Sequence, residues 1–104
     1  MGSAESGRTE PEVFDANTGI TNENFKELLS WAGVLGISSQ LAGVLWEEME
    51  TVALRGRSVD VSSLTNVLMY MGIHSASRGM VYEVVHQKIM RKLQTTGEEF
   101  GEVN

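Results

Sequence analysis

Apolar residues recur at intervals of three and four along most of this chain, which is the spacing of one face of an α-helix. Four such stretches predict four amphipathic helices, over residues 22–35, 39–55, 61–71 and 76–93. The predicted buried stripes are Phe25, Leu28, Leu29, Ala32 and Leu35; Leu41, Val44, Leu45, Met49, Val52 and Ala53; Val61, Leu64, Val67, Leu68 and Met71; and Val81, Val84, Val85, Ile89 and Leu93. The predicted fold class is all-α, with helix–loop–helix units paired in one small helical domain.

Glycines predict where two of these helices end. Gly36 and Gly72 each follow an apolar stripe, and glycine readily takes the left-handed conformation that ends a helix. An isoleucine follows each glycine and is expected to fold back onto the last turn, and serines beyond it are able to cap the next helix. Residues 36–47 and 72–83 align without gaps at an offset of 36 residues. This alignment predicts a duplicated unit of two helices and a joint.

The chain divides into an arm, one domain and a short tail. Residues 1–12 are rich in Gly, Ser, Glu and Thr and contain the only proline, Pro11, which predicts a flexible N-terminal arm. Residues 13–100 carry the periodic pattern, and residues 101–104 form the C-terminal tail. A chain of 104 residues supports one domain.

Charge is unevenly distributed along the chain. The formal net charge is −6, with nine acidic and two basic residues in 1–54 (−7) against five acidic and six basic residues in 55–104 (+1). Nucleic-acid binding needs clustered Lys and Arg, so we expect no nucleic-acid partner. The acidic half would suit a basic protein segment, although ordinary solvated surfaces show the same asymmetry. The absence of cysteine excludes disulfides, thiolate nucleophiles and the usual zinc sites.

Two segments, and more weakly a third, follow the order of residues in a known helix–loop–helix unit. The positions concerned are Gly19, Ile20 and Phe25 in residues 13–25, Val59 and Leu64 in residues 45–64, and Phe100 in residues 95–100. In these positions the chain resembles the EF-hand family, in its calmodulin and myosin-light-chain branch. The resemblance implies paired helix–loop–helix units that bind a partner helix, with Val59 as the short β-bridge residue inside the second loop.

The calcium-coordinating residues of that family are largely missing. A calcium loop needs oxygen ligands at its positions 1, 3 and 5 and a bidentate Glu at position 12. The first loop, residues 13–24, keeps two possible oxygen ligands but closes with Asn24. The second loop, residues 52–63, contains two arginines and closes with Ser63. We therefore expect no metal site and no other cofactor, as in a degenerate, calcium-independent member of the family.

Candidate catalytic groups are sparse. His74 and His86 are the only histidines, and neither has a second His, a Cys or a carboxylate at metal-ligand spacing. No glycine-rich phosphate loop follows a predicted strand. The basic cluster Lys88, Arg91 and Lys92 is explained by the C-terminal dipole of the fourth predicted helix. We expect no catalytic residue, and the predicted protein is not an enzyme.

Some of the large side chains lie off the main apolar stripes, so we do not expect one four-helix core to bury all of them, and the remainder predict a partner surface. The predicted partner-binding residues are Trp46, Met49, Met69, Tyr70 and Met80. Trp46 and Tyr70 lead this set, because methionine also serves as core filler. The predicted function is that of a calmodulin- or light-chain-like adaptor or structural subunit. It would grip an amphipathic or basic helix of a larger cytoplasmic partner, in a cytoskeletal or ciliary assembly.

Two alternatives stay open at this point. A turn at residues 55–59 before a helix resembles part of a histone-like dimeric bundle, although the preceding predicted helix is shorter than the long central helix of that fold. Residues 1–6 fit the N-myristoylation pattern, with Gly2 as the acylated residue of a membrane-associated adaptor. A single acyl chain binds membranes only marginally, and no apolar run spans a bilayer, so a membrane partner is not expected.

Overall fold

The computed structural model describes residues 14–101, with side-chain surroundings for residues 14–96. The all-α prediction is confirmed for this part of the chain, which contains four α-helices, a π-helical segment and a two-stranded ribbon. The α-helices are α1 (Asn22–Trp31), α2 (Ser39–Met49), α3 (Val61–His74) and α4 (Gly79–Gly101). The predicted arm, residues 1–12 with Gly2, and residues 102–104 of the predicted tail lie outside the described residues.

A short antiparallel ribbon joins the segments that precede α1 and α3. Strand β1 (Gly19–Ile20) pairs with strand β2 (Val59–Asp60), and Ile20 lies opposite Val59. Val59, the residue expected in a short β-bridge, therefore does lie in a ribbon between two loops. The side chain of Ile20 is buried. The ribbon thus contributes to the core as well as joining the two halves of the chain.

The first turn of α3 is also bonded to the loop before β1. The Val61 N–H donates to the Thr18 carbonyl and the Ser62 N–H donates to the Ala16 carbonyl, both over 3.0 Å. The first four N–H groups of a helix lack intrahelical partners. The loop carbonyls therefore satisfy two of these groups, and they fix α3 against the first loop by direct hydrogen bonds.

Side-chain caps set the starts of three helices. Thr21 begins α1 with a capping box, in which its hydroxyl accepts from the Asn24 N–H while the Asn24 side chain accepts from the Thr21 N–H. Ser38 caps α2 and Asp60 caps α3, each by accepting from the backbone N–H three residues further on. Serine, threonine and aspartate are favoured in this role because their oxygens satisfy otherwise unpaired amides. The predicted serine cap of the second helix is confirmed.

Helix ends differ from the glycine-based prediction. α1 ends at Trp31 rather than near residue 35, and Gly33 as well as Gly36 takes the left-handed conformation, with φ of +79° and +85°. The prediction that Gly72 ends a helix is wrong, because α3 continues through it to His74. The backbone of α4 lies against this turn of α3 because Gly79 has no side chain, since a Cβ there would lie 2.8 Å from the Gly72 carbonyl oxygen.

α2 continues into a π-helical segment, Glu50–Leu54, called the π-segment below. The predicted second helix therefore keeps its length but widens in its last turn. Arg55 ends it in the left-handed conformation with φ of +53°, which no other non-glycine residue of the described chain adopts. The guanidinium of Arg57 donates to two carbonyls of the last turn. The Arg57 backbone N–H also donates to the Leu54 carbonyl, so Arg57 closes the helix end by both backbone and side-chain hydrogen bonds.

The core contains most of the predicted stripe. Its buried apolar members are Phe14, Ile20, Phe25, Leu28, Leu29, Ala32, Val34, Ala42, Leu45, Trp46, Met49, Leu54, Val61, Leu64, Leu68, Met71, Tyr82, Val85 and Ile89. Three stripe positions are wrong, since Leu35, Val52 and Val84 are exposed. Leu35 is exposed because it lies in the connection after the early end of α1.

A buried tyrosine joins α4 to α2. The hydroxyl of Tyr82 lies 3.0 Å from the Leu45 carbonyl oxygen and 2.9 Å from Glu48 Oε1. Glu48 also pairs with Arg78 at 3.8 Å and accepts from the Ser75 hydroxyl. The hydrogen-bonded group thus ties the start of α4 and the α3–α4 connection to α2. Tyr82 was outside the predicted stripes, and the polar contact explains why a tyrosine rather than an aliphatic residue fits there.

Candidate partner-binding surface

Three of the five predicted partner-binding residues lie on the surface. Met69 and Tyr70 of α3 are 49% and 45% exposed, and Met80 in the first turn of α4 is 79% exposed. Trp46 and Met49 lie in the core, so their assignment to a partner surface is wrong. The three exposed residues belong to α3 and α4, so the candidate partner-binding surface is confined to the second half of the described chain.

The burial of Trp46 and Met49 follows from which face of α2 meets α1. The buried residues Ala42, Leu45, Trp46 and Met49 stand at i, i+3, i+4 and i+7, the spacing of a helix stripe. The Trp46 ring packs against Phe25 of α1 with the ring centroids 5.3 Å apart. The sequence prediction centred the stripe one residue away, on Val44 and Leu45. The correct spacing was present in the sequence, but a tryptophan had been assigned to the surface.

Two further apolar residues complete an exposed face on α3 and α4. Ile73 is 71% exposed and Val84 is 45% exposed. Met69 and Ile73 are four residues apart on α3, and Met80 and Val84 are four residues apart on α4, so each pair shares one side of its helix. We call these four residues the α3–α4 face. The prediction that Ile73 folds back onto the last turn of its helix is wrong, because that helix does not end at Gly72.

A groove between α3 and α4 includes the α3 pair of this face. It has a volume of about 370 Å³ and is lined by Met69, Gly72, Ile73, Glu83, His86 and Gln87. Glycine at position 72 leaves the groove floor as bare backbone. Polar groups enter from α4, whereas α3 supplies the apolar wall. The groove therefore combines two flexible or branched apolar side chains with a few polar groups that are able to orient a ligand.

A second groove lies on the other side of α3, against the π-segment. It has a volume of about 540 Å³, and its lining is Val52, Ala53, Arg55, Arg57, Asn66, Val67 and Tyr70. We call it the arginine groove. No carboxylate is part of this lining. No sequence pattern predicted this groove, because it lies beside the widened last turn of the second helix.

The basic cluster of α4 does not occupy the end of its own helix. α4 continues to Gly101, beyond Lys88, Arg91 and Lys92. These three residues instead surround Ala32 and Gly33, at the C-terminal end of α1. The Lys92 ammonium lies 5.5 Å from the centre of the Trp31 ring. The explanation by a helix dipole therefore applies to α1 rather than to α4.

The two possible oxygen ligands predicted in the first loop, together with Asn24, lie among hydrogen bonds within the loop. Asp15 Oδ1 accepts from the Asn17 N–H over 2.9 Å and from the Thr18 hydroxyl over 3.0 Å. The Asn24 side chain donates to the Gly19 carbonyl and accepts from the α1 cap. These oxygens and amides are engaged in local structure. Among the described residues, no three His, Asp or Glu side chains converge as a metal-binding group.

The comparisons with known proteins add no assignment. No protein-family model, no curated protein and no solved structure matches this chain. Within residues 14–101, no helix combines the length and the apolar composition that crossing a bilayer requires. The site is therefore characterised by its own geometry: an exposed apolar face on α3 and α4, and a cationic groove beside it.

Proposed function

We propose that this protein is a non-enzymatic adaptor or structural subunit whose α3–α4 face holds an amphipathic helix of a larger protein. The single observation that carries the proposal is the exposure of four apolar side chains, Met69, Ile73, Met80 and Val84, on two adjacent helices with a groove between them. A helix that lays its apolar side into such a groove is a recurring mode of peptide recognition. Methionines suit this role because flexible thioethers adapt to the shape of the partner.

The proposal includes a calcium-independent, EF-hand-like arrangement of the described domain. Two loops are joined by the β1–β2 ribbon, and each loop leads into a capped helix, α1 or α3. Direct backbone bonds from the α3 amides to the first loop hold the two loops together. This arrangement supports a lobe that keeps its shape without an ion, so partner binding would not need calcium.

Charge distribution refines the partner that the sequence predicted. Glu83 is the one carboxylate in the lining of the α3–α4 groove, whereas Glu47 and Glu50 line a different surface on α2 and the π-segment. The α3–α4 face therefore selects for apolar rather than strongly basic residues. Any basic residues of the partner would contact α2. A place in a cytoplasmic cytoskeletal or ciliary assembly stays a prediction.

The test compares the purified protein with two variants as bait in an extract of its own cells. Ile73→Ser combined with Met80→Ser removes two exposed side chains of the face, and Leu35→Ser removes an 88% exposed leucine elsewhere. A photo-cross-linking amino acid at position 73 then identifies the contacted peptide by mass spectrometry. We expect a cross-linked segment with apolar residues at helical spacing, and we expect the double variant but not Leu35→Ser to lose the partner.

Two results would contradict this assignment. Equal recovery of the same proteins by all three baits would remove the α3–α4 face from the proposal. A wild-type dimer on size-exclusion chromatography that the double variant converts to a monomer would assign the face to self-association. Thermal unfolding of each variant checks that the substitutions leave the fold intact, as expected for exposed positions.

A further inference from the structure

The arginine groove has the features of a site for a negatively charged group on an apolar segment. Its walls include the exposed parts of Val52, on the π-segment, and of Tyr70, on α3, which are 39% and 45% exposed. Arg55 and Arg57 stand at its border, and Asn66 adds a side-chain amide. Among the residues that the structure describes, no carboxylate lines the groove to pair with the two guanidinium groups. A chain of net charge −6 therefore presents a local positive site here.

The two arginines differ in how far they are engaged. Arg57 donates from Nε to the Leu54 carbonyl over 3.2 Å and from Nη2 to the Ala53 carbonyl over 3.1 Å, so part of its guanidinium is fixed by the chain. Within the described part of the chain, Arg55 forms neither a side-chain hydrogen bond nor an ion pair. Its guanidinium is thus available to a ligand, whereas Arg57 is held in place beside it.

The backbone at Arg55 strengthens this interpretation. A φ of +53° is the left-handed conformation, which glycine adopts freely and a side chain with a Cβ adopts at a cost of about 1–2 kcal/mol. Gly56 follows immediately and is also left-handed. Strained positions of this kind concentrate at ligand-binding sites, where the surrounding structure maintains them. An arginine in place of glycine therefore indicates that its side chain has a use.

We propose that the arginine groove binds an acidic segment of a protein partner, with a Glu or Asp carboxylate accepting from Arg55 and Arg57. An apolar neighbour of that carboxylate would pack on Val52 and Tyr70. Guanidinium groups are suited to carboxylates because they donate two parallel hydrogen bonds. A protein segment fits better than a nucleic acid, because two arginines in an acidic chain give little attraction for a polyanion. The choice of a protein segment as the ligand rests on the proposed function, in which the partner is a protein.

The test uses two synthetic amphipathic helical peptides of identical apolar face, one with Glu and the other with Lys at every charged position. Binding is followed by isothermal titration calorimetry and by amide chemical shifts of the protein. We expect the Glu peptide to bind about tenfold more tightly than the Lys peptide, the effect of one charge-assisted hydrogen bond. The shift changes of the Glu complex are expected to centre on Arg55, Arg57, Val67 and Tyr70.

Variants separate the charge of Arg55 from its effect on folding. Arg55→Gly removes the guanidinium and relieves the left-handed strain, so we expect Tm to rise by about 2–6 °C while Glu-peptide affinity falls about tenfold. Arg55→Asn, which also tolerates this conformation, is expected to weaken binding equally. Arg91→Gln is the matched control, because it removes the same charge from an exposed residue outside the groove. It should leave the affinity unchanged.

Several outcomes would overturn the inference. They are equal binding of the two peptides, no binding of either peptide, unchanged affinity in Arg55→Gly, or tighter binding of a single-stranded oligonucleotide than of the Glu peptide. None of these outcomes affects the proposed function, which is tested separately with the double variant of Ile73 and Met80. If the double variant loses its partner while the two peptides bind the wild type equally, the proposed function stands. The arginine groove is then not a site for an acidic segment.

Discussion

A Cβ atom on Gly79 would lie 2.8 Å from the carbonyl oxygen of Gly72, closer than such atoms approach in folded proteins. The first turn of α4 therefore rests directly on the backbone of α3. A Cβ on Gly72 would meet the backbone of Glu83 at 3.5 Å, which is ordinary van der Waals contact. The close approach holds Met80 and Ile73, the residues after each glycine, at the same crossing. The spacing of the α3–α4 face thus depends on Gly79 more than on Gly72.

Alanine substitution should destabilise the protein at Gly79 and have little effect at Gly72. Gly79→Ala forces the helices apart and is expected to lower the free energy of unfolding by about 1–3 kcal/mol, the usual cost of overpacking. Gly72→Ala gains helix propensity within α3 and meets only ordinary contacts, so it should change stability by less than about 1 kcal/mol in either direction. Urea unfolding of both variants checks this difference. Equal destabilisation would contradict the crossing described here.

Tyr82→Phe removes the hydroxyl that joins α4 to α2. We expect a loss of about 1–2 kcal/mol in the free energy of unfolding at neutral pH, since Glu48 loses a hydrogen-bond donor and a buried contact disappears. Tyr70→Phe removes the hydroxyl of a 45% exposed tyrosine and is the matched control. Chemical unfolding measures both variants, and an effect as small as that of the control would show that the buried hydroxyl contributes little.

Tyr82 should also affect the pH dependence of stability under alkaline conditions. Burial, followed by the hydrogen bond to Glu48, raises the pKa of Tyr82 above its ordinary value of 10.0. The unfolded chain then releases this proton near pH 10 while the folded chain keeps it. The stabilisation is therefore complete below pH 10 and is lost as pH rises beyond it. Tyr82→Phe should show a shallower decline of Tm above pH 10 than the wild type, and parallel curves would contradict this origin.

Asp60 is expected to contribute to the dependence of stability on acidic pH. The Ser63 N–H, and then the Ser63 side chain, hold the pKa of Asp60 below its ordinary value of 3.8. The unfolded chain takes up this proton first, so the stabilisation is present above pH 3.8 and is lost as pH falls through the folded pKa. Asp60→Asn keeps a capping oxygen but not the charge. Its Tm should fall less steeply than that of the wild type below pH 4. If Tm falls equally steeply in the two proteins, the effect is excluded.

Calcium should leave the protein unchanged if the loops act as proposed. The first loop uses Asp15 and Asn24 in its own hydrogen bonds, and the second loop is bordered by Arg55 and Arg57. We expect no heat of binding and no shift of Tm on addition of millimolar calcium, with magnesium as the control for ionic strength. A rise of Tm at micromolar calcium would contradict the calcium-independent arrangement.

Sequence patterns alone did not predict which apolar residues of the helices are exposed. A helical period gave Met69, Tyr70 and Met80 as surface residues, and all three are exposed. The same period placed Val84 in the core and left Trp46 outside it, and both assignments were wrong. An apolar residue at a stripe position is buried only if another element covers that side of the helix. The direction from which α1 and α4 approach is a property of the assembled fold, which no local period contains.

By itself, the sequence determined the helical class, the approximate extent of the helices and the cap at Ser38, because these depend on side-chain spacing and on local hydrogen bonds. The β-bridge position of Val59 was expected only from the resemblance to the EF-hand family. The tertiary structure decided that α3 continues through Gly72 rather than ending there. It also decided that the second helix widens at the π-segment to leave the arginine groove beside α3. These features arise from the close approach of segments distant along the chain, so their causes lie in packing rather than in any neighbouring residues.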